Sequence, residues 1–241
     1  MRRPEGLVPL LTCLCFVLTV HPQRLAAQVS VSFSGIAAQP HLTVELGGTR
    51  ERIGGIWAGG AVVIARGVVT LSFRGLSGRM KPIDNTTALN RDGGEMGASL
   101  RLSPLTWIGI DAGYTVRAFN SSAGHQEWRI PHVGATISGT LGHRALRAYL
   151  SGAYLPSVKV SGLDTPDLGI AAEAALTGEP YGTPLYFKIS YRLERYDFPT
   201  QTTSRLEQYD QVTVSLGLRL GKRQRQGRTD IPLIRRTGEL R

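Results

Sequence analysis

Cysteine is almost missing from this chain: its 241 residues hold two, Cys13 and Cys15, and both lie in an apolar stretch near the N-terminus. Disulfides, zinc–thiolate centres and cysteine nucleophiles are therefore excluded from everything downstream. Long hydrophobic runs are equally scarce. The main one, Leu7–Val20, is 14 residues long, short of the roughly 20 that a helix needs to cross a bilayer. It follows Arg2 and Arg3 and precedes Ala26-Ala27-Gln28, which is the layout of a cleavable secretory signal ending near Ala27. Lipid attachment at Cys13 is disfavoured, because Thr12 precedes it and the apolar run continues beyond it.

The usual signatures of soluble chemistry are also lacking. Beyond the leader there is no phosphate-cradling loop, dinucleotide fingerprint, zincin helix or calcium loop, so no cofactor and no metal are expected. The formal charge of +10 raises the possibility of a nucleic-acid partner, but half of that surplus sits in residues 221–241. There Lys222, Arg223, Arg225, Arg228, Arg235, Arg236 and Arg241 face only Asp230 and Glu239. Such a segment is disordered by composition and has no aromatic residue on which bases would stack, so no nucleic acid is expected as a partner.

What the chain has in place of runs and motifs is alternation. From Gln211 to Leu220, Val212, Val214, Leu216, Leu218 and Leu220 fall on one side, with Thr213, Ser215, Gly217 and Arg219 on the other. Successive side chains of a strand point to opposite faces, so this segment has one apolar and one polar face. The pattern repeats in Leu185–Glu194, in Ile108–Ala118 and around Met96–Leu102. Weaker versions occur in Leu42–Gly47, Trp57–Ala65, Val68–Gly75, Arg129–Thr140, Ala145–Tyr154 and Leu168–Leu176. These make ten candidate strands. Short links at Ala65-Arg66-Gly67, Ser103-Pro104-Leu105-Thr106, Leu141–Arg144 and Gly178–Pro184 alternate with longer ones at Ser77–Gly94, Asn120–Glu127, Ser157–Asp167 and Asp197–Gln208. A secreted β-sandwich also alternates, but short turns at one end and long loops at the other favour a barrel. Trp107, Tyr114, Trp128, Tyr154, Tyr181 and Tyr196 lie near strand ends, where an interfacial girdle would place them.

With the turn Ser103–Trp107 and the last strand Val212–Leu220, the layout resembles the small bacterial outer-membrane β-barrel proteins. The resemblance implies an all-β, antiparallel, transmembrane up-and-down barrel of about 10 strands, within a range of roughly 8 to 12, and a location in the outer membrane. It implies three parts: a signal peptide at 1–27, the barrel at 28–220 and a basic periplasmic tail at 221–241. It also implies two partners, outer-membrane lipid and the barrel insertion machinery. One departure stands out. Members of that group usually end in an aromatic residue, whereas this last strand ends in Leu220 and 21 residues follow. An even strand number would return both termini to the periplasm and turn the Met80–Gly94 loop outward.

The polar faces of these strands define the candidate site, a lumen charge network of Glu45, Arg74, Glu95, Arg101, Asp111, Arg117, Arg147, Glu173, Lys188, Arg192, Glu194 and Arg219. A barrel this narrow is filled by its own side chains, so interleaved cations and acids favour a plug over a channel. The expected role is structural, adhesive or surface-interacting, with a narrow, mildly anion-preferring pore as the alternative. Ten-stranded barrels also include omptin-like proteases, and barrel deacylases and phospholipases require a histidine with a serine. The rim candidates Asp84, Asp92, His125, Asp197 and Asp210, and the pair His132 and Ser138, assemble no base, nucleophile and orienting group by spacing, so no catalytic residue is expected.

Overall fold

The computed structural model describes residues 29–83, 89–142, 146–180, 183–199 and 205–220; the leader and the basic tail lie outside them, as does Tyr181. The described residues form eleven strands: β1 (Val29–Leu46), β2 (Thr49–Arg66), β3 (Val69–Pro82), β4 (Arg91–Leu102), β5 (Ile108–Ser121), β6 (Gly124–Thr140), β7 (Leu146–Tyr154), β8 (Lys159–Val160), β9 (Leu168–Gly178), β10 (Leu185–Phe198) and β11 (Arg205–Leu220). Ten of them pair antiparallel with their neighbours in the chain, and β1 pairs with β11, so the sheet closes into an up-and-down barrel. The two-residue β8 adds to β6 opposite Trp128 and Arg129. No helix occurs among the described residues, and none of their segments is a helix long and apolar enough to cross a membrane.

Several strands run further than alternation alone indicates. The link expected at Ser77–Gly94 shrinks to 83–90, the one at Asn120–Glu127 to a turn between Ser121 and Gly124, and the one at Asp197–Gln208 to 199–204. β1 begins at Val29 instead of Leu42, its pattern masked in the sequence by small residues and by Pro40. β1 and β2 meet through Gly47 and Gly48, both at positive φ (56° and 83°), the conformation that a two-residue hairpin of matching twist needs and that glycine adopts without strain.

In β3, β6 and β10 the extra length has one physical cause: the alternation changes phase part of the way up. In β3, Thr70, Ser72 and Arg74 point inward, but Leu76 and Met80, further along the same face, are buried apolar side chains. Outside, Leu71 and Phe73 give way to the exposed Arg79 and Lys81. β10 does the same, with Lys188, Arg192 and Glu194 inside and then Tyr196 and Phe198, while Ile189 and Tyr191 outside give way to Arg195 and Asp197. In β6 the inner face runs from Ser138, Thr136 and His132 to Ile130 and Trp128. The barrel thus has two storeys. The lower storey, which holds Val29 and Leu220, is apolar outside and polar inside. The upper storey is polar outside and apolar inside, like a small soluble domain.

This assigns the aromatic residues differently from the girdle reading. Trp107, Tyr114 and Tyr154 are exposed at 54%, 44% and 54%, whereas Trp128 and Tyr196 are each 1% exposed and belong to the upper core. The outward lower face exposes Phe33, Ile110, Ile137, Leu150, Ile189, Val214, Leu216 and Leu218 around the whole circumference, far more contiguous apolar surface than water-soluble monomers present.

Candidate functional site: the filled lumen

Register brings the central charges together. Glu95 on β4 lies directly opposite Arg117 on β5, and both point inward. Arg117 Nε and Nη2 donate to Glu95 Oε2 at 2.9 and 2.6 Å, while its Nη1 reaches across the lumen to Glu194 Oε2 on β10 at 2.9 Å. Arg74 Nη2 on β3 lies 2.5 Å from Glu95 Oε1. Arg192 pairs with Glu194 on its own strand and lies 3.9 Å from Glu95 Oε1. Tyr196 Oη donates to Glu194 Oε2 at 2.6 Å, and the Arg117 guanidinium stacks 3.5 Å over the Tyr209 ring. Glu95, Arg117 and Glu194 are all within 2% of complete burial. Charges removed from water this thoroughly persist only where each is paired and hydrogen-bonded, as these are.

Below this cluster the remaining network residues pair locally. Arg101 Nε donates to Asp111 Oδ1 at 2.5 Å, and Thr136 Oγ1 donates to Asp111 Oδ2 at 2.6 Å. Lys188 Nζ donates to Glu173 Oε1 at 2.7 Å. Arg219 pairs with Glu179, and Arg147 donates to Ser138 Oγ at 2.9 Å and to the Thr106 carbonyl. Glu45 must be corrected: even-numbered positions of β1 point inward, so Glu45 is on the outer face, exposed and opposite Arg50. Tyr196, Tyr209, Thr136 and Glu179 belong to the network and were not anticipated. The first three are uncharged, and Glu179 lies in a link, where alternation assigns no face.

Above the cluster the lumen is closed by hydrocarbon. Trp57 packs against Phe119 and Tyr209 at ring-centroid distances of 6.1 and 6.5 Å. Trp128 packs against Tyr196 at 4.9 Å and edge-on against Phe198 at 6.1 Å. Met80, Ile130, Leu155 and Val158 fill the spaces between, each no more than 2% exposed. Tilted aromatic pairs of this kind each contribute about 0.5–1.5 kcal/mol beyond the area they bury. Gly93 makes room for this layer, since a Cβ there would overlap the Trp57 indole and press on Phe119. Gly93→Val is accordingly expected to cost about 1–3 kcal/mol through overpacking. Denaturant unfolding of the full chain measures this, and an unchanged midpoint would contradict the packing described.

Over the aromatic layer, the mouth of the barrel opens into a cleft of about 490 Å³ lined by Leu46, Glu51, Arg91, Gln126, Arg205 and Glu207. The rim residues considered for catalysis are dispersed. Asp92 pairs with Arg79 at 2.8 Å, Asp197 with Arg195 at 3.2 Å, and His125 contacts Asn120 at 2.6 Å. Asp210 meets His41 at 3.1 Å, a pairing not anticipated from sequence, but both point outward from β11 and β1. Asp84 lies outside the described residues. His132 and Ser138 both face the lumen from β6, three register steps apart. Among the described residues, no group of three His, Cys, Asp or Glu side chains converges as a metal site would require.

No protein-family model matches this chain, and no curated protein does. Solved structures are similar to it at low identity. The outer membrane protease OmpT from Escherichia coli shares 12% identity, with 80% of this chain and 97% of that one covered and a TM-score of 0.48. The translocator domain of the autotransporter NalP from Neisseria meningitidis shares 13%, with 88% and 95% covered and a TM-score of 0.44. Neisserial surface protein A shares 11%, with 77% and 96% covered and a TM-score of 0.36. These neighbours are bacterial outer-membrane β-barrels of differing description, and identities of 11–13% transfer no residue role to this chain.

Proposed function

We propose that this chain is an outer-membrane barrel with a structural or surface-interaction role and a lumen closed to solutes. One observation carries the reading: the reversal of apolar and polar faces between the two storeys. A lower belt that is apolar outside and charged inside suits hydrocarbon outside and side chains inside. In β11 that belt runs from Val212 to Leu220, close to the 9–11 residues with which a tilted strand crosses a bilayer. The upper storey stands clear of the lipid with its own hydrophobic core and presents the cleft at the barrel mouth. In this reading the termini, with the leader removed at about residue 27, face the periplasm, and the upper storey faces outward.

The pore alternative requires a continuous wet path, and two layers oppose it, the aromatic packing and the five-residue ion cluster beneath. The Thr136 hydroxyl donates to Asp111, but that carboxylate is held by Arg101 within the lumen network, and no reaction is proposed. The test is a fractionation of cells producing the full chain, followed by planar-bilayer recording of the purified protein. Expected are recovery with the outer membrane, heat-modifiable gel mobility, and a conductance indistinguishable from that of the empty bilayer. Recovery in the soluble fraction would overturn the location, and steady single-channel steps would overturn the closed lumen.

A further inference from the structure

The outer face of the lower storey is interrupted by a trench. Its floor is one row of register in which Gly35, Gly60 and Gly75 lie side by side on β1, β2 and β3, all pointing outward. Leu216 on β11 and Met96 on β4 stand at the two ends of that row, exposed at 65% and 72%. Phe33, Val62 and Phe73 form the row below. The furrow is shallow and open, about 640 Å³ in volume and mostly apolar.

The charges above the trench are unevenly distributed. On the outer face of β1–β4, Arg50, Arg52, Arg79 and Lys81 are exposed and outnumber Glu45 and Asp92. Elsewhere around the upper outer surface, among the described residues, Arg129, Lys159 and Arg195 are outnumbered by Glu127, Asp164, Asp167, Asp197 and Asp210. Arg79 and Lys81 are four and six residues beyond Gly75 on the same strand and face, about 13 and 20 Å by strand rise. An apolar furrow at hydrocarbon depth thus leads to guanidinium and ammonium groups at headgroup depth.

We infer that this face holds one membrane lipid with a net anionic phosphate headgroup, its acyl chain in the Gly35–Gly60–Gly75 trench and its phosphate among Arg79, Lys81 and Arg52. The inference rests on the membrane reading above. A second copy of the chain is the rival occupant. A two-fold contact centred on this face would bring each copy's cation patch towards the other's, a like-charge arrangement that disfavours assembly. A phosphate instead accepts hydrogen bonds from the same groups.

The experiment is native mass spectrometry of the full chain, released from micelles containing equal amounts of dimyristoyl phosphatidylglycerol and dimyristoyl phosphatidylcholine. Expected is an excess of bound phosphatidylglycerol of about tenfold, falling to within about twofold in Arg52→Gln/Lys81→Gln, because each surface cation contributes comparably. Gly35→Leu/Gly75→Leu fills the trench at two positions where an added Cβ meets nothing within 4 Å. It should lower retention of both lipids about fivefold while heat-modifiable mobility is preserved. An unchanged lipid ratio in the charge variant, or unchanged retention in the filled variant, would overturn the inference. So would a wild-type dimer that the filled variant abolishes. A chain that inserts into vesicles but binds both lipids equally would sink this inference alone, whereas a chain that stays out of vesicles would sink the membrane reading with it.

Discussion

Leu216→Arg is expected to remove about 2–4 kcal/mol from the stability of the lipid-embedded barrel, the cost of placing a guanidinium near the middle of the hydrocarbon. Leu216 is outward-facing and 65% exposed in the lower storey, so in the proposed membrane setting the substituted side chain has only lipid to meet. Gln208→Arg is the informative control. It lies on the same face of the same strand, eight residues towards the upper storey, half-buried beside the exposed Arg195 and the buried Thr43. There the charge remains in water and the expected change is within about 0.5 kcal/mol. Urea unfolding of both variants in vesicles measures the difference. Equal losses would mean that the change of phase along β11 does not mark the edge of the bilayer.

The second large effect is expected at Glu194. Truncating it to alanine takes the acceptor from Arg117 Nη1 and Tyr196 Oη and the partner from Arg192, all in the closed part of the lumen. Leaving one side of a desolvated pair uncompensated costs about 3–5 kcal/mol. Glu173→Ala is the contrasting variant. Its pair with Lys188 has side-chain exposures of 28% and 38%, and partly solvated pairs contribute only about 0–1 kcal/mol. A loss at Glu194 no larger than that at Glu173 would show the central cluster to be hydrated. Replacing Arg192 as well should recover part of the Glu194 loss, since contacting charges are not additive.

Much of this arrangement was legible in the sequence, and its limits follow from the two storeys. In β11, β10 and β5 the period-two pattern identifies the apolar residues that face outward, because the outer surface and the lumen carry opposite chemistry there. The same rule failed above the belt. Trp57, Met80, Phe119, Trp128 and Phe198 occupy inward positions that are polar lower down, so strands whose alternation inverts look like long loops in the sequence, and Trp128 and Tyr196 look like interfacial residues. The network residues could be enumerated by face, but their partners could not. Arg117 meets Glu95 through adjacent register, which hairpin pairing makes foreseeable, but it meets Glu194 across the lumen, 77 residues away, where distance depends on how far the strands shear on closure. Glu45 belongs to the same inversion: Leu42 and Val44 point inward in the upper part of β1, so a rule that turns apolar residues outward gives Glu45 the wrong face.

The seam between β1 and β11 has a consequence for assembly in time. Sixteen residue pairs join them, from Val31 with Leu220 to Leu46 with Arg205, so the most distant parts of the described sequence become immediate neighbours. Contacts of such separation carry the largest loop-closure cost and form late. Until β11 has been synthesised and delivered, β1 and β10 each present a long unpaired edge, and an open edge with an apolar face is a template for aggregation. Closure of the barrel therefore waits on the last described strand, and a chain lacking β11 would leave both of those edges open.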